Sequence, residues 1–321
     1  MVYRLTQVPY KNMEQDFDKI HAQLYPSLKQ LEKQRLELKA KGNRNGMIFG
    51  AITFLAGLFI SLSGGIGWTG IAISLMIAIF IWYNCISCKS GQLSVFYKQN
   101  IISAIISQLC ENACFQPENG IPEQTFRASG LFGTSPDRYH SEDLINGKID
   151  KTSFCCSEIV AEEKQITTDS KGRTRTRWVD IFRGFFFIAD FQKDFQGQTV
   201  VYRNSWLKIG NGKQRVKLEN PEFEKSFDTF STDQIEARYI LTPSLMEKLL
   251  ELDRKFPGRI TVSFLNSMVI IAIPDSKNHF EASIWHSQLR NNSLREEFFT
   301  LIALLNIIND LNLNLRIWTK E

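Results

Sequence analysis

The feature that most constrains this chain is a run of 44 residues, 45–88, that contains no Asp, Glu, Lys, Arg or His. As one helix the run would be about 66 Å long, roughly twice the thickness of a bilayer core. The glycine-rich stretch 63–67 would interrupt such a helix. The sequence therefore predicts two membrane spans, 47–62 and 66–83, joined by a short turn, with interfacial aromatic residues at Trp68, Trp82 and Tyr83. A helical hairpin buried in a soluble core is the alternative, which the length of the run disfavours.

The charges that flank this run predict its orientation. Residues 1–44 hold nine Lys or Arg and five acidic residues, whereas residues 89–321 hold 29 of each. The turn between the spans is uncharged, and the basic residues that precede or follow the spans are Lys33, Arg35, Lys39, Lys41, Arg44, Lys89 and Lys98. The positive-inside rule then predicts that both termini lie in the cytoplasm. A cleaved signal peptide is disfavoured, because the apolar run begins too late in the chain.

The pattern divides the chain into four regions. Residues 1–44 are a basic amphipathic helical region, in which a helix is expected to restart at Pro26 and run to about residue 41. The transmembrane hairpin, 45–88, is followed by an amphipathic connecting helix, 89–116, and a cytoplasmic α+β domain, 117–321. The apolar stripes of the two amphipathic helices are Phe17, Ile20, Leu24, Leu28, Leu31 and Leu38, and Leu93, Phe96, Tyr97, Ile101, Ile105 and Leu109.

In the α+β domain, two strand-like runs on either side of a polar turn predict a hairpin of strands 153–168 and 173–191 around the turn 169–172. Short strands are expected at 199–202 and 235–241. Thr242 and Pro243 begin a helix that ends at 257–258, and a second hairpin pairs 259–265 with 268–273.

A capping box formed by Ser293 and Glu296 begins the last long helix, and 311–318 is interpreted as an edge strand. The predicted fold class is α+β, with an N-terminal helix, a transmembrane hairpin and a cytoplasmic domain of helices and antiparallel sheet. The element order is compatible with a pleckstrin-homology-like barrel.

The cysteines and histidines predict no disulfide framework, metal site or cofactor site. No cysteine lies in the last 165 residues, so all six are expected to be reduced. The pairs Cys85/Cys88 and Cys110/Cys114 are separated by predicted helix about 33 Å long, which prevents a shared ion. Acylation of Cys85 or Cys88 at the membrane interface stays open. The remaining cysteines and the histidines, none of which lies in a catalytic pattern, are Cys155, Cys156, His21, His140, His279 and His286.

Two groups of charged residues carry alternative interpretations. Five carboxylates could form an acid and base pair of a hydrolase, or could serve as caps, turn residues and ion-pair partners of Lys193, Lys225 and Arg238. Four basic residues alternate along the predicted hairpin tip and could bind anionic lipid headgroups, or form a solvated tip. The carboxylates are Asp190, Asp194, Asp228, Asp233 and Glu236; the candidate lipid-binding residues are Lys171, Arg173, Arg175 and Arg177.

Three strings resemble a family of bacterial membrane proteins catalogued as domain-of-unknown-function family 3137. They are residues 184–193 (GFFFIADFQK), residues 218–243 with DQIEARYILTP at their end, and residues 311–318 (LNLNLRIW). Gln192 departs from the family pattern, where asparagine is expected. The resemblance implies a multi-pass protein of the bacterial inner membrane and implies no activity.

Together these patterns favour a non-enzymatic, membrane-anchored interaction or scaffold domain that faces the cytoplasm. Besides the lipid bilayer, an unidentified protein is the expected partner. No nucleic acid is expected, because the domain is neutral overall and Trp178 is the one aromatic residue at the basic tip. An anionic-lipid-sensing module that uses the tip 171–177 and a carboxylate-based hydrolase are the two alternatives.

Overall fold

The computed structural model describes residues 10–64, 67–168, 172–204, 210, 212–256, 260–289 and 291–313. The chain forms two compact units. The first, here called the helical unit, comprises Val8–Ile105 and Phe280–Phe298. The second, the sheet unit, comprises Met1–Gln7, Ile106–His279 and Phe299–Glu321. Each unit therefore combines stretches that lie far apart in the sequence.

The helical unit begins with two long helices that run antiparallel. Helix α1 spans Tyr10–Ser63 and α2 spans Trp68–Ser87. Gly46, Gly50 and Gly57 of α1 face progressively earlier positions of α2, namely Trp82, Ala78 and Ser74. Helix α3 (Ser90–Tyr97), a π-helical segment (Lys98–Ile102) and α4 (Ser103–Leu109) follow.

The expected restart of a helix at Pro26 is wrong, because α1 continues through this residue. Proline removes one backbone hydrogen bond from a helix interior. The buried side chains of Leu24, Leu28 and Leu31 surround it on the same stripe, and their packing stabilises the helix through the defect. The connecting helix also differs from its predicted bounds: it ends at Leu109, and residues 114–116 form a strand.

Within the described residues, the sheet unit contains nine strands in one antiparallel sheet. Its order is β1-β2-β3-β4-β9-β8-β5-β7-β6. The strands are β1 (Cys114–Gln116), β2 (Arg138–Ile149), β3 (Thr152–Thr168), β4 (Thr174–Asp190), β5 (Gln198–Arg203), β6 (Gln214–Val216), β7 (Phe227–Ser231), β8 (Thr261–Leu265) and β9 (Met268–Pro274). The helices are α5 (Glu123–Ala128), α6 (Pro221–Ser226), α7 (Gln234–Ile240), α8 (Pro243–Lys255) and α9 (Asn291–Asp310), of which α9 begins in the helical unit.

The predicted hairpin β3–β4 lies near the middle of this sheet, and the mixed helix and antiparallel-sheet class is confirmed. Residues 185–189 of β4 are all buried, so both faces of the strand are covered. This explains their uninterrupted apolar sequence, since a strand buried on both sides has no polar face. Phe126 of α5 packs on Phe186 on one of these faces.

The backbone of β4 includes one residue that only glycine can occupy easily. Gly184 has φ +141°, and a Cβ there would lie 2.2 Å from the carbonyl oxygen of Ile273. Strand β9 therefore passes against β4 at a point where a side chain has no room.

The sheet unit corrects several sequence expectations. The expected strand 235–241 is wrong, because residues 235–240 belong to α7. The Asp233 carboxylate accepts hydrogen bonds from the amides of Ile235 and Glu236 and caps this helix. Strands β2 and β7 were not expected. Helix α9 begins at Asn291, before the predicted cap at Ser293. Residues 311–313 are a turn, and 314–318 lie outside the described residues. The sheet order does not confirm a pleckstrin-homology-like barrel.

Candidate functional site

In the apolar parts of α1 and α2, small residues are buried and large apolar side chains are exposed, the inverse of the distribution in a soluble protein. Both helices are long and apolar enough to cross a membrane, and in each only 17% of the most apolar window is buried. Among the described residues of 45–87, those that are buried are Gly46, Gly50, Ser61, Ser74, Ala78 and Ile86. The large side chains point outward instead: Met47, Ile48, Phe49, Ile52, Leu55, Phe59, Ile60, Leu62, Trp68, Ile73, Leu75, Met76, Ile77, Ile79, Phe80 and Tyr83.

Small residues let the two helix backbones approach closely. A Cβ on Gly46 would lie 2.9 Å from Trp82 Cδ1, and one on Gly50 would lie 3.1 Å from the Ala78 carbonyl oxygen. The hydroxyl groups in this seam donate to backbone carbonyls, Ser74 to Ile71 at 2.8 Å and Ser61 to Gly67 at 2.7 Å. Close packing of small residues with internally satisfied polar groups is typical of helix pairs in lipid.

Residues 280–288, here called the clasp, pack on the hairpin although they lie about 200 residues later in the sequence. The Trp285 ring stacks on the Tyr83 ring with centroids 5.3 Å apart and meets the Trp82 ring edge-on at 6.5 Å. The Lys39 ammonium lies over the Trp285 ring at 5.3 Å. The Trp82 indole donates to Asn43 Oδ1 at 2.7 Å. This aromatic cluster therefore joins both helices and the clasp.

Charged side chains reinforce the clasp. The buried Arg35 guanidinium donates to both oxygens of Glu32 at 2.6 and 2.9 Å, and to the Ile284 carbonyl at 3.0 Å. The hydrogen bonds from Arg35, assisted by one from Ser287, hold the pKa of Glu32 below its ordinary value against the opposing effect of burial. Lys98 is buried and pairs with Glu281 at 2.8 Å. Two of the predicted flanking cations therefore serve the interior of the helical unit.

The clasp has little local signature in the sequence. Trp285 is one large apolar residue in a stretch without helical or strand periodicity. The packing of the clasp depends on contacts with distant residues such as Arg35, which donates to the carbonyl of Ile284, 249 positions later.

Three of the four predicted lipid-binding residues lie at the far end of the β3–β4 hairpin, whose described residues 164–168 and 172–178 are here called the basic ribbon. Arg173, Arg175 and Arg177 are exposed, and Lys171 lies outside the described residues. Arg175 is opposite Thr167 and Arg177 is opposite Gln165 in the register, so the two arginines share one face with neutral partners.

The other face of the basic ribbon is partly apolar. Ile166 is opposite Thr176 and is 59% exposed. Trp178 is half-buried because the Arg138 guanidinium stacks 3.6 Å above its ring. Arg175 and Arg177 therefore lie on one face of this two-stranded ribbon, and Ile166 lies on the other face together with Lys164.

Each of the five candidate carboxylates makes a structural contact. Asp190 accepts from the Gln192 amide at 2.9 Å, Asp194 accepts from the Ser267 hydroxyl at 2.6 Å, and Asp228 pairs with Arg215 at 3.0 Å.

The remaining two position α7. Asp233 caps this helix, and the Glu236 carboxylate accepts from the amides of Gln196 and Gly197 at 2.9 and 2.8 Å. The expected partner Lys193 lies over the Tyr239 ring, 3.2 Å from its centroid. Burial lowers the pKa of its ammonium group, against the opposing attraction of the Glu236 carboxylate.

The cysteines and histidines range from buried to exposed positions. His279 is buried; its ring nitrogen lies 3.0 Å from Asp275, and its amide donates to the buried Glu158, a contact the sequence did not suggest. In the described part of the chain, no three His, Cys, Asp or Glu side chains converge as metal ligands would. All six cysteines are unpaired; burial raises the pKa of Cys156 well above its ordinary value, while Cys88 is exposed.

Comparison with known proteins supports one family resemblance. Residues 180–313 match the family model described as "Protein of unknown function (DUF3137)". The predicted resemblance is therefore confirmed over β4 to the end of α9. No curated protein matches the chain.

One solved structure is weakly similar. The crystal structure of the mycobacterial trehalose monomycolate transport factor A, TtfA, aligns with a TM-score of 0.33 and 8% identity, covering 62% of this chain and 88% of that chain. A likeness at this level carries no argument about fold or function.

Proposed function

We propose that this protein is anchored in the inner membrane of a bacterium by the α1–α2 hairpin, and that its sheet unit is a non-enzymatic module that binds another protein at the cytoplasmic face. The single observation that carries the membrane anchorage is the inverted burial of the hairpin. Glycine, serine and alanine lie inside, and large apolar side chains lie outside.

A hairpin of this kind is stable in lipid and unfavourable in water. Exposed apolar patches on soluble proteins rarely exceed a few hundred Å², whereas the outward side chains of both helices form a surface over their whole apolar length. Lipid covers such a surface without a protein partner. The close glycine seam supplies the packing that replaces the hydrophobic effect inside the bilayer.

The charges support the proposed orientation. Lys33, Lys41 and Arg44 are exposed near the end of α1 that precedes the apolar half, and the opposite end of the hairpin is uncharged. Cationic flanks stay preferentially on the cytoplasmic side, so the ends of the hairpin are expected there.

Helix α7 is the proposed surface for the protein partner. Ile235 is 81% exposed and Tyr239, one turn later, is 54% exposed. In the described part of the sheet unit, the other large apolar side chain with comparable exposure is Ile166 of the basic ribbon. Arg238 is exposed beside the pair, and Lys193 lies over the tyrosine ring. An apolar pair flanked by cations fits a partner surface that is apolar with an acidic rim.

The rigid attachment of α7 supports this proposal. Ala237 and Ile240 are buried beneath the helix, and the Glu236 carboxylate accepts hydrogen bonds from two backbone amides of the loop before β5. An interaction surface on a fixed helix loses little conformational entropy on binding. The hydrolase alternative has less support, because Glu236 and the four other candidate carboxylates already hold backbone or side-chain partners.

Site-specific photo-cross-linking in native membranes tests the proposal. The full-length protein carries a photoreactive amino acid at Ile235 or, as a control, at the exposed Lys151. We expect a protein adduct of defined mass from position 235, none from 151, and loss of the adduct in the Arg238→Glu variant. Equal adducts at both positions, or no protein adduct at 235, would refute the role of α7. Extraction of the protein by alkaline carbonate would refute the membrane anchorage separately.

A further inference from the structure

We propose that the basic ribbon is a second membrane contact, which docks onto anionic phospholipid headgroups. This inference rests on the proposed membrane anchorage, because an anchored domain is held near a lipid surface. It assigns anionic phospholipid as the partner of the basic ribbon, which belongs neither to α7 nor to the α1–α2 hairpin.

Positive charge is concentrated in the stretch 164–178, which contains the basic ribbon, whereas the rest of residues 89–321 is acidic. Residues 164–178 contain five Lys or Arg and one acidic residue, Asp169. Because residues 89–321 hold equal numbers of basic and acidic residues, the rest of this region has an acidic excess of four. The positive charge is therefore localised at the end of one hairpin and is not a general property of the domain. A local positive end attracts the negative surface of the cytoplasmic leaflet.

The geometry of the arginines suits phosphate groups. Side chains two residues apart on a strand are about 6.7 Å apart and point to the same face. Arg175 and Arg177 have this spacing, are exposed, and are opposite Thr167 and Gln165, which carry no charge. Each guanidinium can therefore present its planar fork of donors to a separate phosphate.

The apolar residues of the basic ribbon favour lipid over nucleic acid. Ile166 is exposed on the face opposite Arg175 and Arg177, and the exposed Lys164 shares that face two residues earlier on β3. An exposed aliphatic side chain beside a cation is typical of elements that lie at a membrane interface. Single-stranded nucleic acid would instead need an aromatic ring on which a base can stack. Trp178 is the one aromatic side chain of the basic ribbon, and Arg138 already covers its ring.

The experiment uses the full-length protein reconstituted in vesicles of phosphatidylcholine alone or with 30% phosphatidylglycerol. An environment-sensitive fluorescent amino acid replaces the exposed Thr167, which is opposite Arg175 and on the same face as the two arginines. We expect a blue shift and quenching by a nitroxide-headgroup lipid in the anionic vesicles, both reversed by 0.5 M NaCl because salt screens the attraction. The Arg175→Gln, Arg177→Gln variant should lower the docking equilibrium constant about thirtyfold, from the typical contribution of a basic residue near an anionic surface.

A matched control removes two positive charges elsewhere. Lys148 and Lys151 are exposed where β2 turns into β3, about 50 Å along β3 from the basic ribbon. The Lys148→Gln, Lys151→Gln variant should leave the signal unchanged, and circular dichroism should show that both variants remain folded.

The outcomes separate this inference from the proposed function. Flotation with phosphatidylcholine vesicles and resistance to carbonate measure hairpin insertion alone, and their loss refutes the anchorage. A protein that still floats but whose signal ignores phosphatidylglycerol refutes the docking of the basic ribbon. An equal loss of signal in both glutamine variants refutes its specificity. Binding of an oligonucleotide, without any response to anionic lipid, overturns the assignment in favour of nucleic acid.

Discussion

Replacing Leu55 by arginine should expel the first span from the membrane. Leu55 lies near the middle of residues 47–62 and is 61% exposed. An arginine at this position would therefore contact whatever surrounds the hairpin, water or lipid, and not the interior of the protein. On the insertion scale a central leucine contributes roughly −0.5 kcal/mol and a central arginine roughly +3 kcal/mol, so the change costs about 3–4 kcal/mol. Nine Ile, Leu and Phe residues of the span contribute roughly −3 to −5 kcal/mol in total. One substitution therefore removes most of the driving force.

Leu62→Arg is the matched control. Leu62 is 73% exposed and lies at the turn end of α1, where a long cationic side chain reaches the interface at little cost. The assay is translation of the full chain in the presence of membrane vesicles, followed by carbonate extraction. We expect wild-type insertion for Leu62→Arg and a minority of inserted chains for Leu55→Arg. In water both substitutions would change stability by less than about 0.5 kcal/mol. Equal membrane retention of the two variants would therefore refute the inference that lipid surrounds this hairpin.

Three further predictions concern residues inside the two units. Arg35→Ala should destabilise the helical unit by about 3–5 kcal/mol, because Glu32 and the Ile284 carbonyl lose the buried guanidinium that donates to them. Thermal unfolding in detergent measures this loss of stability. Arg35→Lys should restore only part of the lost stability, because an ammonium group cannot reproduce the fork of donors. Because the pKa of Glu32 is lowered in the folded state, its carboxylate stabilises the fold at pH values above its ordinary pKa of 4.5, and this contribution is lost as the pH falls through the folded pKa. The difference in Tm between wild type and Glu32→Gln should therefore be largest near pH 7 and shrink below about pH 4.5. A difference that stays constant with pH would contradict the pairing. Gly184→Ala should destabilise the sheet unit by more than about 2 kcal/mol, because its Cβ would lie 2.2 Å from the Ile273 carbonyl oxygen. The control is Gly172→Ala, where φ is +76° but the space around a Cβ is open, and it should cost about 1 kcal/mol. Similar losses of unfolding free energy for the two variants in denaturant titrations would argue against steric strain at Gly184.

Elements with strong local signals were predictable from the sequence. The hairpins β3–β4 and β8–β9 follow from strand-like runs joined by polar turns, and α8 follows from its Thr242 cap and Pro243. Turn geometry and helix capping are local effects, because their free energies depend on only a few neighbouring residues.

Elements that depend on pairing with distant strands were not predictable. Strand β2 is largely polar, and it is extended because β3 pairs with it on both sides of a bulge between Glu142 and Ile145. Residues 235–241 show the opposite error. The alternation of Ile235 and Ala237 with charged residues is compatible with a strand, but the Asp233 cap makes the segment a helix.

For the candidate sites, the sequence alone determined that residues 45–88 are an uncharged apolar run broken by glycines, and that positive charge collects at its flanks and at residues 171–177. Such properties can be summed residue by residue, so no contact needs to be known. Only the tertiary structure decided that glycine and serine face inward along the hairpin, that Trp285 stacks on Tyr83, and that Arg35 binds a carbonyl 249 residues away. These contacts depend on how distant segments pack, because the stability of each pair exists only once both partners are in position.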